Sequence, residues 1–417
     1  MKKNNSWVEI DPNSDFSIYN IPFGIFNHKG RTRAGSALGN FVIDLDYLHK
    51  RNYFEKIGLT DSLFEDTTLN RFIGLGKPVT KAVRLRLIDL FSENNQELQS
   101  NNIDKTDCLI SMAEVEMLIP VKVPNYTDFY SSIEHATNVG TMFRDPDNAL
   151  FPNWKHLPVG YHGRASSIIV SDTPVKRPKG QTKAPEADSP SFGPSKRLDF
   201  ELEMAFITGK NTALGESIST KNAEEHIFGF VLFNDWSARD MQVWEYVPLG
   251  PFLAKNFASS ISPWIVTLEA LEHVRCESPT QDPKVLPYLE IEGKKNFDIK
   301  LQVGIQPKEA AETIVSNSNF KYMYWNINQQ LAHHTVNGCN IEVGDMYGSG
   351  TISGPTPDSY GSMLELAWKG TKPVPMNDGT ERKFIHDGDT VIMRGYAEKD
   401  GKRVGFGEVK SLVLPAD

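Results

Sequence analysis

Arg197-Leu-Asp-Phe-Glu-Leu-Glu-Met-Ala-Phe-Ile207 sets Phe200, Leu202, Met204 and Phe206 in alternation with Asp199, Glu201, Glu203 and Ala205, the period of a β-strand with one apolar face. Glu201 and Glu203 then point the same way, roughly 7 Å apart by the rise per residue. Two carboxylates so placed repel each other unless water or a cation lies between them. Taken alone, the run reads as a strand with a solvent-exposed acidic side. Taken with acids elsewhere in the chain, it becomes part of a candidate cation site.

The chain has 417 residues, 39% hydrophobic and 23% charged, enough for a large buried core and for two domains. A net charge of −9 without a dense Lys/Arg run gives no general attraction for nucleic acid or for an anionic membrane. Any anionic substrate must therefore be captured by specific side chains. Cys108, Cys276 and Cys339 are few, odd in number and widely spaced, which suits reduced, structural thiols in a cytoplasm-like compartment. The amino-terminal residues 1–10 lack the apolar core of a secretory signal, and no apolar run is long enough to span a bilayer. These features predict a soluble, cytoplasmic protein.

Residues from about Phe23 to Met117 mix short strand-like runs with a charged helical stretch over Lys81 to Gln99, and hold no grouping of His, Cys and acid. A boundary falls near Leu118, where prolines at 120 and 124 bracket an extended segment. The division is thus an accessory domain over 1–118 and a mainly β domain over 119–417. In the second region, Thr127 or Asp128 could cap a helix over Phe129 to Thr137, with Asp128 at its positive end and His135 two turns on. Arg144 and Tyr161 lie in glycine- and proline-containing segments that fit either ligand-facing loops or surface turns. Five prolines between Thr173 and Pro194 predict a long irregular connection.

Ile227 to Phe233 reads as a buried strand, and Asp235, Arg239 and Gln242 follow its carboxyl end. A helix beginning at Ser237 would put Arg239 back over Asp235, as a helix-start ion pair or as part of a site. Lys255 stands among Phe252, Leu253, Phe257 and Ala258, where a lysine needs an acidic partner or a function. Lys321 to Gly338 has helical spacing, and its adjacent His333 and His334 cannot share a face, so they read as packing or capping groups. The glycine-dense run from Glu342 to Pro355 lacks the spacing of a phosphate loop. Ser362 to Trp368 reads as a strand that leaves Glu365 opposite Leu364 and Leu366.

Asp128 to His135, Arg197 to Met204, Phe233-Asn-Asp-Trp-Ser-Ala-Arg-Asp240, Gly250 to Lys255, and Gly350 to Gly354 with Gly361 to Glu365 resemble the fumarylacetoacetate hydrolase family, its fumarylacetoacetase branch in particular. The resemblance covers almost the whole chain. It implies an α+β, mainly β fold, with a small amino-terminal β-barrel-like domain, a larger carboxyl-terminal β-roll and a homodimer. It further implies hydrolysis of a carbon–carbon bond in a dicarboxylate diketone, fumarylacetoacetate, at the end of tyrosine and phenylalanine breakdown.

Carried onto these positions, the resemblance makes Asp128, Glu201, Glu203 and Asp235 the metal carboxylates, an all-oxygen set that suits Ca2+ or Mg2+. Their four negative charges would be balanced by the dication with Lys255 and Arg239. His135, oriented by Glu365, becomes the general base, because imidazole titrates near neutral pH and a carboxylate fixes its tautomer. Arg239, Gln242 and Lys255 become donors to the oxyanion. Tyr130, Arg144, Gln242, Tyr246 and Thr351 become substrate anchors, with Tyr161 lining the pocket. Ser259 stands where the family is expected to carry threonine; with Lys255 it would lie behind the metal ligands. Two other readings use the same acids: a sister enzyme such as an acylpyruvate hydrolase or decarboxylase, and a non-catalytic metal-binding protein that needs no pairing of His135 with Glu365.

Overall fold

The strand Leu202–Thr208 lies at the centre of an eight-stranded sheet. The structure, a computed structural model, describes residues 5–417, so the first four residues of the amino-terminal segment lie outside it. In spatial order the sheet runs Gly160–His162, Tyr126–Phe129, Met346–Gly348, Leu202–Thr208, Ile227–Asp235, Ser259–Ile261 and Ile168–Val170, with Val266–Thr267 paired to the Ile227 strand. Tyr126–Phe129 and Met346–Gly348 are parallel neighbours, and Leu202–Thr208 is antiparallel to both of its partners.

Both faces of this sheet are buried. Phe200, Leu202, Met204, Phe206, Phe230 and Leu232 join one core with Leu301, Val303, Met393 and Phe406 from a five-stranded carboxyl-terminal sheet. Ala205, Ile207, Phe228, Val231 and Phe233 turn the other way and share a core with Phe23, Ile25 and Phe72 of the amino-terminal region. That region holds a second five-stranded sheet, all antiparallel, and the helix Lys77–Leu90. The mainly β expectation holds. Among the described residues no helix is long and apolar enough to cross a membrane.

Several local expectations are corrected. The expected helix over Phe129 to Thr137 is a strand followed by a later helix: Tyr126–Phe129 pairs on both edges, and the helix Ile133–Phe143 starts from a Ser132 cap, whose hydroxyl accepts from the His135 amide. Asp128 therefore projects from a strand and not from a helix end. The predicted strand over Ser362 to Trp368 is a helical turn, Met363–Leu366, capped by Ser362, with Leu364 and Glu365 both buried. The stretch from Thr173 to Pro194 is not irregular throughout, since Lys179–Thr182 and Ser191–Pro194 form a hairpin. The helix in the Lys321 to Gly338 region is confined to Ile327–Thr335, beginning at an Asn326 capping box. The charged stretch over Lys81 to Gln99 divides into Lys77–Leu90 and Gln96–Gln99.

Candidate active site

One face of Leu202–Thr208 changes character along its length, and that change places the site. Ala205 and Ile207 are covered by amino-terminal side chains; Glu203, and Glu201 just before the strand, lie beyond that cover. Neither is solvent-exposed as the acidic alternation alone suggested: Glu203 is 0% and Glu201 5% accessible. Across the sheet, Ala205 is opposite Gly348, Gly348 is beside Asp128, and Asp128 is opposite Tyr161. On the other side, Asp235 pairs with Ser259. Gly348 leaves room for its neighbours, because a Cβ there would stand 2.7 Å from Asp128 Oδ1 and 2.9 Å from Glu203 Oε2.

Asp128, Glu203 and Asp235 each direct an oxygen into one space, within 4.8 Å of one another, and all three are buried. Asp128 Oδ1 and Glu203 Oε1 have no hydrogen-bond partner. Buried polar atoms are normally paired, so two orphaned oxygens in one buried carboxylate cluster fit a cation there. Burial above all, and then mutual repulsion, pushes the pKa values of Asp128 and Glu203 well up; burial also raises that of Asp235, against the pull of Lys255. An all-oxygen, anionic set of this kind fits a hard divalent ion.

Glu201 stands beside the three but spends its oxygens differently. Oε1 accepts from Arg239 Nη2 at 2.7 Å and Oε2 from Lys255 Nζ. Burial opposes its ionisation, yet Arg239 and Lys255 overcome that and hold Glu201 well below the usual carboxylate range. Lys255 also donates to Asp235 Oδ2 at 2.6 Å. The acidic partner that its apolar surroundings demanded is thus present twice. Arg239 does not fold back over Asp235 as expected: the helix starts at Arg239 itself, and the guanidinium reaches Asp199 and Glu201. Its Nη1 donates to Gln242 Oε1 at 3.1 Å, and Tyr161 donates its hydroxyl to Asp235 Oδ2 at 3.1 Å. Ser259 donates to Asp235 Oδ1 at 2.9 Å.

His135 Nδ1 lies 2.7 Å from Glu365 Oε2, and both side chains are buried. Ser353 and Ser362 hydroxyls and Asn138 Nδ2 also donate to Glu365, each at 2.9 Å. Burial would raise the Glu365 pKa, but the His135 charge and these donors lower it on balance, so the carboxylate stays ionised. Tyr130 meets His135 edge to face, 5.2 Å between ring centres, in the combined field of Glu365, Glu201, Arg239 and Arg144. Thr351 is buried in the segment that packs on Phe129 to Ser132. Two expected anchors are not drawn into the centre: Arg144 lies over the Phe151 ring at 4.1 Å and donates to the Ala149 carbonyl, and Tyr246 is half-exposed at the end of the helix Arg239–Glu245.

Five further residues belong to the site. Asp199 lies on the same alternating face as Glu201 and Glu203, so its signal was present in the opening stretch. Ser132 and Ser362 each precede their helices by one residue, in a pattern that marks caps. Gly348 and the Tyr126 hydroxyl, which is buried without a partner among the carboxylate charges, have no signature in the chain alone.

Comparison with known proteins shows the family. The family model described as fumarylacetoacetate (FAA) hydrolase C-terminal matches residues 125–413, and that described as fumarylacetoacetase N-terminal matches residues 19–120. The chain is 53% identical over 419 residues to a fumarylacetoacetase of Dictyostelium discoideum, covering 99% of this chain and 98% of that one. It is 49% identical over 414 residues to a Homo sapiens fumarylacetoacetase, covering 99% of each. Among solved structures, a fumarylacetoacetate hydrolase from Exiguobacterium antarcticum superposes with a TM-score of 0.54 at 18% identity, over 95% of this chain and 99% of that one, a likeness of fold.

Proposed function

This chain belongs to the fumarylacetoacetase family, and from that premise we propose that it hydrolyses fumarylacetoacetate to fumarate and acetoacetate through the His135–Glu365 pair set beside the Asp128, Glu203 and Asp235 carboxylates. The observation that carries the mechanism is the buried 2.7 Å contact from His135 Nδ1 to Glu365 Oε2. With Nδ1–H given to the carboxylate, Nε2 is left with the lone pair that takes a proton from water. The resulting hydroxide adds to the carbonyl carbon, the carbon–carbon bond breaks, and the electron pair leaves on the acetoacetate side. The proton on Nε2 returns to that carbon, which balances the reaction as substrate plus water to two acids.

A calcium or magnesium ion held by Asp128, Glu203 and Asp235, with Glu201 alongside, would supply electron withdrawal from the diketone oxygens. Arg239 and Lys255 keep Glu201 ionised beside that point and Lys255 also donates to Asp235, while the Gln242 amide nitrogen stays available to the oxyanion because its carbonyl is taken by Arg239. Tyr130 anchors substrate against the base, with Thr351 and Tyr161 around it, while Arg144 and Tyr246 stand outside the centre. We assign the protein to the cytoplasm, where the free thiols of Cys108, Cys276 and Cys339 stay reduced. We assign it also to a homodimer, a state that the exposed apolar Val247, Leu249 and Phe252 support.

The test is the loss of fumarylacetoacetate absorbance on adding the purified chain, with and without a chelator. Turnover that chelation abolishes and calcium or magnesium restores is expected. A chain that leaves the substrate intact with either ion present would end the reading.

A further inference from the structure

Asp199 takes no part in the mechanism above, yet it touches both halves of it. Leu198–Asp199 pairs with Ser237–Ala238, which puts the Asp199 carboxylate, 0% accessible, behind the site. Oδ2 accepts from Arg239 Nε at 2.8 Å and from the Leu364 amide at 3.0 Å, and Oδ1 accepts from the Met363 amide at 2.7 Å. Met363 and Leu364 open the helical turn that carries Glu365. The turn already has a cap in Ser362, whose hydroxyl serves the Glu365 amide, so Asp199 serves two further amide groups at the same end. One carboxylate thereby ties the guanidinium that pairs with Glu201 to the turn whose glutamate orients His135.

We infer that Asp199 is a positioning residue, which fixes the Arg239 side of the site relative to the Glu365–His135 pair so that base and oxyanion donors meet one carbonyl. The inference rests on the proposed hydrolysis. Geometry of this sort is felt in the rate more than in substrate binding, because small displacements of catalytic groups raise the barrier without removing ground-state contacts.

The test uses the full-length enzyme and the Asp199→Asn variant, which keeps the shape and removes the charge. We expect kcat for fumarylacetoacetate to fall about 100-fold while KM stays within about threefold. Combined with Glu365→Gln, Asp199→Asn should cost clearly less than its own single loss, because both disturb the alignment of the base with the oxyanion donors. A folded Asp199→Asn enzyme with near wild-type kcat overturns the inference, as does a double variant whose loss is the product of the two single losses. Should Asp199→Asn fail to fold, Met363→Pro carries the test. It removes the amide that reaches Oδ1, proline is accepted at a first helical position, and Ser362 before it is already extended at φ −146 and ψ 155. The same split between kcat and KM is expected there, and an unchanged kcat overturns the inference. Wild-type enzyme that does not hydrolyse fumarylacetoacetate sinks the functional reading instead, so the two failures are told apart.

Discussion

The buried contact of His135 with Glu365 is the one with the sharpest consequence. Because Glu365 is held by His135, Asn138, Ser353 and Ser362 together, Glu365→Gln would keep most of its hydrogen bonds but remove the charge that supports an imidazolium. We expect kcat to fall by about 10²- to 10⁴-fold with little change in KM, and His135→Ala to fall at least as far while still binding one divalent ion by calorimetry. A His135→Ala enzyme with wild-type turnover would remove the base. Lys255 makes a different prediction, since its ammonium group is the shared partner of Glu201 and Asp235. Lys255→Met should cost about 3–5 kcal/mol in urea denaturation, because it strands buried carboxylates. The side chains of this centre were readable to unequal degrees. Glu201 and Glu203 announced themselves by alternation, and Lys255 by its apolar neighbours. Which acid meets which cation depends on strand pairing, so Arg239 turning to Asp199 and Glu201 could not be read from its spacing to Asp235.

At the scale of elements, the strand Met346–Gly348 runs between the Asp128 strand and the Glu203 strand with no side chain at its last position. Gly348→Ala would drive a methyl group to 2.7 Å from Asp128 Oδ1 and 2.9 Å from Glu203 Oε2, closer than carbon and oxygen tolerate. The carboxylates must then move. Calcium affinity should fall about tenfold or more in titration calorimetry, since groups that orient ligands carry effects of that size; unchanged affinity would place the ion elsewhere. Elements with a long, clean period were legible from the chain, as Ile227–Asp235 and Leu202–Thr208 show. The turn Met363–Leu366 was not, because four residues are too few to separate helical from strand spacing. Its Ser362-x-x-Glu365 pattern did hold the answer as a capping signature. There the glutamate side chain turns away to His135, and the serine shares the capping of the turn with Asp199.

For the whole molecule, the amino-terminal region is a wall of the catalytic sheet as much as a unit of its own. Phe23 meets Phe228 tilted at 6.0 Å and Phe72 meets it edge-on at 6.3 Å between ring centres, and Phe23 and Ile265 exchange backbone hydrogen bonds at 3.0 and 2.8 Å. A boundary near residue 118 is the expectation from sequence, but residues 119–417 expressed alone should aggregate, because Ala205, Ile207, Phe228, Val231 and Phe233 would lose their cover. A soluble, active 119–417 fragment would contradict this. The final prediction couples the ion to stability. In the ion-free protein, burial first and then repulsion raise the Asp128 and Glu203 pKa values, and burial raises that of Asp235, above their unfolded values near 4. Between the unfolded and folded values the folded state binds more protons, so this part of the stability is present in acid and is lost as pH rises. Glu201 and Glu365, whose values are lowered, act with the opposite sign, but only below about pH 4, where the unfolded groups titrate. A dication binds the ionised carboxylates and removes the repulsion. The gain in Tm on adding calcium to chelated protein should therefore be larger at pH 8 than at pH 5, read by calorimetry at fixed ionic strength. Equal gains at the two pH values would mean that the three carboxylates do not share an ion.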